Sequence, residues 1–161
     1  MLKGKIALVT GGSRGIGAAI AVRLAESGAD IALIYAGNEA AAVKVREEIL
    51  AKGQGCRIYK CDVSDFEAAG EVTACVISDF GGIDILVNNA GIVRDGLILS
   101  MKEKDFDDVI AVNLKGSFNM IKQPYRHMMK KRSGRIINIT SVVGLNGNAG
   151  QANYSASKAG L

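Results

Sequence analysis

One proline, one histidine and three cysteines in 161 residues leave little from which to build a metal centre, a disulfide framework or a proline-rich linker. The lone histidine, His127, has no partner at ligand spacing, so no metal is expected and it reads as a surface residue. Cys56, Cys61 and Cys75 are odd in number and lack C-x-x-C spacing; each lies in an apolar segment and reads as a core filler, which favours a reducing, cytoplasmic setting. No apolar run approaches the length of a membrane span, and the N-terminus passes straight into a strand-like segment without signal-peptide anatomy. Charge of one sign is also scarce: the net charge is +4, and the basic residues concentrate between Lys122 and Arg135, a local patch and not a nucleic-acid-binding arm. There is no repeat, low-complexity tract or linker. What is present is 48% hydrophobic content, enough for one globular domain over residues 1–161.

Strand and helix patterns alternate strictly along the chain, which calls for a parallel sheet with helices on both faces. Lys5–Thr10 (KIALVT) is a short apolar run suited to a strand buried on both sides. It opens into Gly11-Gly12-Ser13-Arg14-Gly15-Ile16-Gly17 and then the helical stretch AAIAVRLAESG. Glycines there permit a tight turn and close approach of a ligand, and the helix N-terminus offers free N–H groups to a pyrophosphate, so dinucleotide binding is favoured over a purely structural turn. The second strand, Asp30–Tyr35, ends in Tyr35-Ala36-Gly37-Asn38, without the acid that holds a ribose 2′-hydroxyl in NAD enzymes; Glu39 opens the next helix, Glu39–Lys52. Arg14 either meets a 2′-phosphate with its donor fork or is a solvated loop charge, and with the acid missing NADP(H) is favoured over NAD(H).

Cys56–Cys61 is a third strand with Asp62 and Val63 at its C-terminal end; Asp62 touches an adenine amino group, or else Asp62, Ser64 or Asp65 caps the helix Phe66–Phe80. A fourth strand, Ile83–Val87, runs into Asn88-Asn89-Ala90-Gly91, where the two amides either lock neighbouring strands beside the cofactor or form a plain turn. A long helix over Lys102–Met129 contains Asn113 and is expected to kink or split at Gly116 and Pro124. Asn113 has poor helix propensity and needs a hydrogen-bonding reason to be there. Lys130, Lys131, Arg132 and Arg135 suit the C-terminal end of that helix, and Arg135–Thr140 forms a fifth strand that ends at Ser141. Tyr154 and Lys158 stand four apart in Ala/Ser-rich sequence, hence on one helix face. A tyrosine titrates near pH ~10, and a neighbouring ammonium draws it toward neutrality, where it can exchange a proton with a carbonyl oxygen. An isolated Y-x-x-x-K is more often a ring stacked on a lysine stem, so the rest of the chain has to decide.

TGGSRGIG, NNAG, the Asn113 segment, Ser141 and Y-S-A-S-K, in that order, together resemble the short-chain dehydrogenase/reductase family over essentially the whole chain. VNNAGIVRDGLIL, MMKKRSGRIINITSVVG and GNAGQANYSASKAGL resemble most the branch that reduces 3-oxoacyl groups on acyl carrier protein in fatty-acid synthesis. The resemblance implies an α/β doubly wound, Rossmann-like parallel sheet of order 3-2-1-4-5 and NADPH-dependent reduction of a 3-oxoacyl thioester. It implies Tyr154 as general acid, Lys158 as the group that lowers its pKa and binds the nicotinamide ribose, Ser141 as holder of the substrate carbonyl, and Asn113 as the residue ordering a relay water. Gly11, Ser13, Arg14, Gly15, Ile16 and Gly17 would hold the phosphates, Asp62 and Val63 the adenine, and Asn89, Ala90 and Gly91 the adjoining ribose region. Lys130, Lys131 and Arg132 resemble the patch that meets acyl carrier protein, with a helix cap as the equal alternative, and a homotetramer is implied. Family members continue beyond the position of Leu161, so the expectation is an NADP-binding domain with its C-terminal strands missing, a frayed last helix, an exposed fifth strand and little turnover. The alternatives are a reductase of acetoacetyl-CoA, another small ketone or a sugar, and a non-catalytic nucleotide-binding protein; against the last stands the complete set Asn113, Ser141, Tyr154 and Lys158.

Overall fold

Successive side chains of a strand point to opposite faces, so each apolar run feeds two cores at once. In the computed structural model, which describes residues 1–161, β1 (Ile6–Val9), β2 (Asp30–Tyr35), β3 (Cys56–Lys60), β4 (Ile85–Asn88) and β5 (Arg135–Asn138) form one sheet in the order β3-β2-β1-β4-β5. Every pairing is parallel. Ala7, Val9, Ile31, Leu33 and Val87 point to the face covered by α1 (Gly15–Glu26) and α2 (Glu39–Ala51), where Ala21, Ala25, Ala42 and Ile49 meet them. Leu8, Ala32, Ile34 and Leu86 point the other way, into a core closed by α3 (Phe66–Phe80) and α5 (Gly116–Lys131) through Ala69, Val76, Met120 and Met128. This is the doubly wound order that the motifs imply, and it sends all strand C-termini to one rim.

Local chemistry sets the helix ends. Asn38 caps α2 by accepting the Ala41 N–H at 2.9 Å, and Asp65 caps α3 by accepting from Glu67 and Ala68. Of the candidate caps for α3, Asp65 is therefore the one used, while Asp62 folds back on Ser64. Of the breaks expected at Gly116 and Pro124, the helix changes type at the first and runs through the second. After α4 (Glu103–Val109) the chain makes a π-helical segment, Ile110–Lys115, which runs into α5 at Gly116. Pro124 is buried inside α5, beside Gln123, whose amide reaches the Phe66 carbonyl on α3, and that packing carries the helix past the missing N–H. Two other expectations need correction. Cys56 and Cys61 are buried, and burial pushes their thiols up to about 12 and about 11, but Cys75 is exposed because the helical period turns it away from Val72, Thr73 and Val76. His127 is half-buried against Gly82, with Nε2 enclosed and unpartnered, because it rides on the inner side of α5 next to Met128.

Beyond β5 come α6 (Val143–Asn146) and α7 (Ala152–Gly160). β5 is exposed at all four residues, as expected of an edge. α7 continues past Lys158 to Gly160, pinned by the buried residues Asn153, Ser157 and Lys158. No helix is long and apolar enough to cross a membrane.

Candidate active site

The rim is stitched at the exits of β1 and β4. Thr10 Oγ1 donates to the Val87 carbonyl at 3.3 Å and accepts the N–H groups of Asn89 and Ala90, both at 3.0 Å. Asn89 Nδ2 in turn donates to the carbonyls of Thr10 and Gly11, each at 3.1 Å. Gly17, in the first turn of α1, packs directly over this stitch; a Cβ there would overlap the Gly11 carbonyl oxygen and Asn89 Nδ2. The result is a recess of about 750 Å³ at the strand C-termini. Gly11, Ser13, Arg14, Gly15 and Ile16 line it together with Asp62, Val63, Asn89, Ala90 and Gly91. Gly17 lies just behind.

This cradle suits a dinucleotide. No side chain caps the first turn of α1, so its N–H groups stay open for a phosphate, and Arg14 is exposed at the mouth. Ala36, Gly37 and Asn38, where the sequence lacks the ribose-binding acid, also line the recess with no carboxylate among them, as do Ile92 and Val112, which sequence reasoning had not placed there.

At the exit of β5 a second set assembles. Lys158 is only 6% exposed, and its Nζ donates to the Ile139 carbonyl at 2.6 Å, while Thr140 Oγ1 donates to the Lys158 carbonyl at 2.8 Å. Burial lowers the pKa of the ammonium. The Tyr154 ring lies one turn earlier, its centroid 5.8 Å from Lys158 Nζ. Tyr154 is half-buried and its hydroxyl is left without a partner in the chain, whereas its main chain is held by Asn153 Oδ1 and by the hydroxyl of Ser157. Ser141 follows Thr140 directly; it borders, with Lys158, a recess of about 540 Å³ beneath α6.

Asn113 joins the two sets. Its Oδ1 accepts the Ile92 N–H at 2.8 Å, and its Nδ2 donates to the Ile92 carbonyl and to Ser157 Oγ, both at 3.1 Å. That is the hydrogen-bonding reason for an asparagine in the helix, and π-helical turns recur at such places. Both Nδ2 hydrogens are thereby used and Oδ1 accepts one bond, while the main-chain carbonyl accepts from Ser117 Oγ. Asn153 was missed from sequence: wholly buried, its Nδ2 donates to the carbonyls of Arg94 and Asp105, tying α7 to the loop after β4 and to α4. A polar residue beside Tyr154 on the inward face of α7 was the available signal. The basic patch sits elsewhere. Lys131 Nζ is 2.7 Å from Asp84 Oδ1, at the starting ends of β4 and β5, across the sheet from Ser141.

Comparison with known proteins agrees with this geometry. Residues 5–161 match the short chain dehydrogenase family. The chain is 52% identical over 157 residues to a Staphylococcus aureus (strain Mu50) protein named 3-oxoacyl-[acyl-carrier-protein] reductase FabG, covering 98% of this chain and 64% of that protein. It is 49% identical over 160 residues to the protein of the same name from Vibrio cholerae, again 64% of the relative's length. Among solved structures, an NAD+-bound xylitol dehydrogenase superposes with a TM-score of 0.95 at 38% identity, over 99% of this chain and 61% of that one. The chain thus spans just under two thirds of the relatives it matches, and by motif, topology and match it belongs to the short-chain dehydrogenase family.

Proposed function

We propose that this chain carries the cofactor cleft and proton-donor apparatus of an NADPH-dependent reductase that converts 3-oxoacyl thioesters on acyl carrier protein to 3-hydroxyacyl thioesters. The observation that carries this reading is the Asn113 bridge, which holds the nucleotide recess against the helix bearing Tyr154 and Lys158. The names of the Staphylococcus and Vibrio relatives support the thioester. The carboxylate-free wall Ala36-Gly37-Asn38 and the free guanidinium of Arg14 support a 2′-phosphate over a bare ribose.

A bound reduced nicotinamide supplies the hydride for the keto carbon. As that carbon gains the hydride, the carbonyl electron pair moves to oxygen and the Tyr154 hydroxyl donates its proton there. The Lys158 ammonium, held by Ile139, stabilises the phenolate left behind. Ser141 donates a hydrogen bond to the same carbonyl oxygen and orients it. A water on the Asn113 main-chain carbonyl returns a proton toward Lys158 and Tyr154. Of the basic patch, Lys130 and Arg132 are left to meet a carrier protein, since Lys131 is engaged by Asp84, although the patch lies at the opposite end of the sheet from Ser141. The exposed stripe Phe118, Tyr125 and Met129 on α5 packs against another copy in a homotetramer.

A second reading, reduction of a small ketone or sugar, is favoured by the likeness to xylitol dehydrogenase. Both are tested by following NADPH oxidation with acetoacetyl-carrier protein, acetoacetyl-CoA and xylulose, in the chain extended by the C-terminal part of the Staphylococcus relative. The first reading expects the carrier-linked substrate to give the highest kcat/KM and Tyr154→Phe to lower it by at least about 10²-fold with NADPH binding intact. Preference for xylulose would replace it with the second. Equal loss of binding and turnover in Tyr154→Phe would remove the proton-donor role.

A further inference from the structure

Asn119 is a wholly buried carboxamide on α5, outside both sets of residues described above. Its Nδ2 donates to the Val63 carbonyl at 2.9 Å and to the Ser64 carbonyl at 3.2 Å, while its Oδ1 is enclosed without any partner. An apolar side chain there would avoid the orphaned acceptor, so the carboxamide is present at a cost that the two donated bonds must answer for. One turn earlier on the same face, Gly116 lets Val63 seat against the helix: a Cβ at that position would lie 2.7 Å from Val63 Cγ2. α5 therefore grips the turn after β3 at two points. That turn supplies Asp62 and Val63 to the nucleotide recess. Asp62 Oδ1 is occupied by the N–H and hydroxyl of Ser64, at 2.9 and 2.7 Å, which leaves Oδ2 as its free acceptor.

We propose that Asn119 is a positioning residue for the purine end of the cofactor. By holding the Val63 and Ser64 carbonyls it fixes the Asp62 carboxylate where it accepts from the exocyclic amino group of adenine and rejects a purine with a carbonyl at the same place. This rests on the NADP(H) reading above. Asn119 does not line the recess, so the residue acts through the turn.

The test is binding, without turnover. Dissociation constants of NADPH and of its hypoxanthine counterpart are measured by calorimetry on the full chain, as wild type, Asn119→Leu and Gly116→Ala. The wild type should prefer the adenine form by at least about tenfold, the scale of one hydrogen bond to a charged acceptor. In Asn119→Leu that ratio should fall below about threefold, chiefly through weaker NADPH binding. Gly116→Ala displaces Val63 from the same helix face and carries the same expectation, so it decides the matter if Asn119→Leu does not fold. A merely structural role would weaken both nucleotides equally and preserve the ratio. A preserved ratio in a folded variant, or no preference in the wild type, overturns the proposal. Failure of the wild type to bind either nucleotide overturns the cofactor reading first, and this one with it.

Discussion

A lysine with one carbonyl partner and 6% exposure is an expensive residue to fold around, and Lys158 is such a lysine. Burial lowers its pKa below that of the unfolded chain. Between the folded and unfolded values the unfolded state binds more protons, so this group's contribution to stability rises with pH. We expect the stability of the wild type relative to Lys158→Met to increase in urea unfolding as pH rises toward the unfolded lysine value of ~10.4; a constant or falling difference would mean that burial does not lower the ammonium's pKa. Tyr154 presents the opposite case. Its hydroxyl has no partner, so Tyr154→Phe should change stability by less than about 0.5 kcal/mol in the same measurement. A larger loss would place the hydroxyl in the scaffold and not in the chemistry.

At the scale of elements, the sheet is held at its starting end by Asp84. Its Oδ2 accepts the Ile6 N–H at 3.0 Å, and its Oδ1 pairs with Lys131 at 2.7 Å and Lys5 at 3.5 Å. Burial alone would raise this carboxyl's pKa, but the Lys131 hydrogen bond, the Ile6 amide and the two ammonium charges together lower it. A lowered carboxyl stabilises above its unfolded pKa of ~3.9 and loses that contribution as pH falls through the folded value. Asp84→Asn should cost about 1–3 kcal/mol at pH 7, and the gap should close below about pH 4. An unchanged gap at pH 3 would contradict the ion-pair account. Most elements were legible in sequence because apolar runs, glycine stops and caps act locally: β2 and α3 fall on the residues expected. What was not legible depends on contacts distant in sequence. Pro124 breaks helices on local grounds, yet packing on α3 carries α5 through it, and the irregularity moves to Asn113, whose partner Ile92 lies 21 residues away. The buried Asn119 gave no signal beyond its poor helix propensity, and Asn153 only its place beside Tyr154, because their partners are carbonyls of other elements.

Across the whole molecule, one edge of the sheet stands apart. β5 exposes Ile136 and Ile137 at 39% and 45%, and the recess bearing Ser141 and Lys158 opens beside it. On the proposed reading, an uncovered edge next to Ser141 and Lys158 would admit water to the substrate side. We therefore expect the 161-residue chain to bind NADPH but to turn over 3-oxoacyl thioesters poorly, and a chimera extended by the C-terminal part of the Staphylococcus relative to gain at least about 10²-fold in kcat. Equal rates for the two would show that the open edge does not matter. The nucleotide recess is lined by residues from the exits of β1 to β4, the start of α1 and the π-helical segment. Its central claim is tested most directly by titrating NADPH and NADH into the chain and following nicotinamide fluorescence, with Gly17→Ala as control. Saturable NADPH binding at least about tenfold tighter than NADH, abolished in Gly17→Ala where a methyl meets the Gly11 carbonyl, is the predicted result. A folded chain that binds neither nucleotide, or a Gly17→Ala variant that binds as well as the wild type, would contradict it.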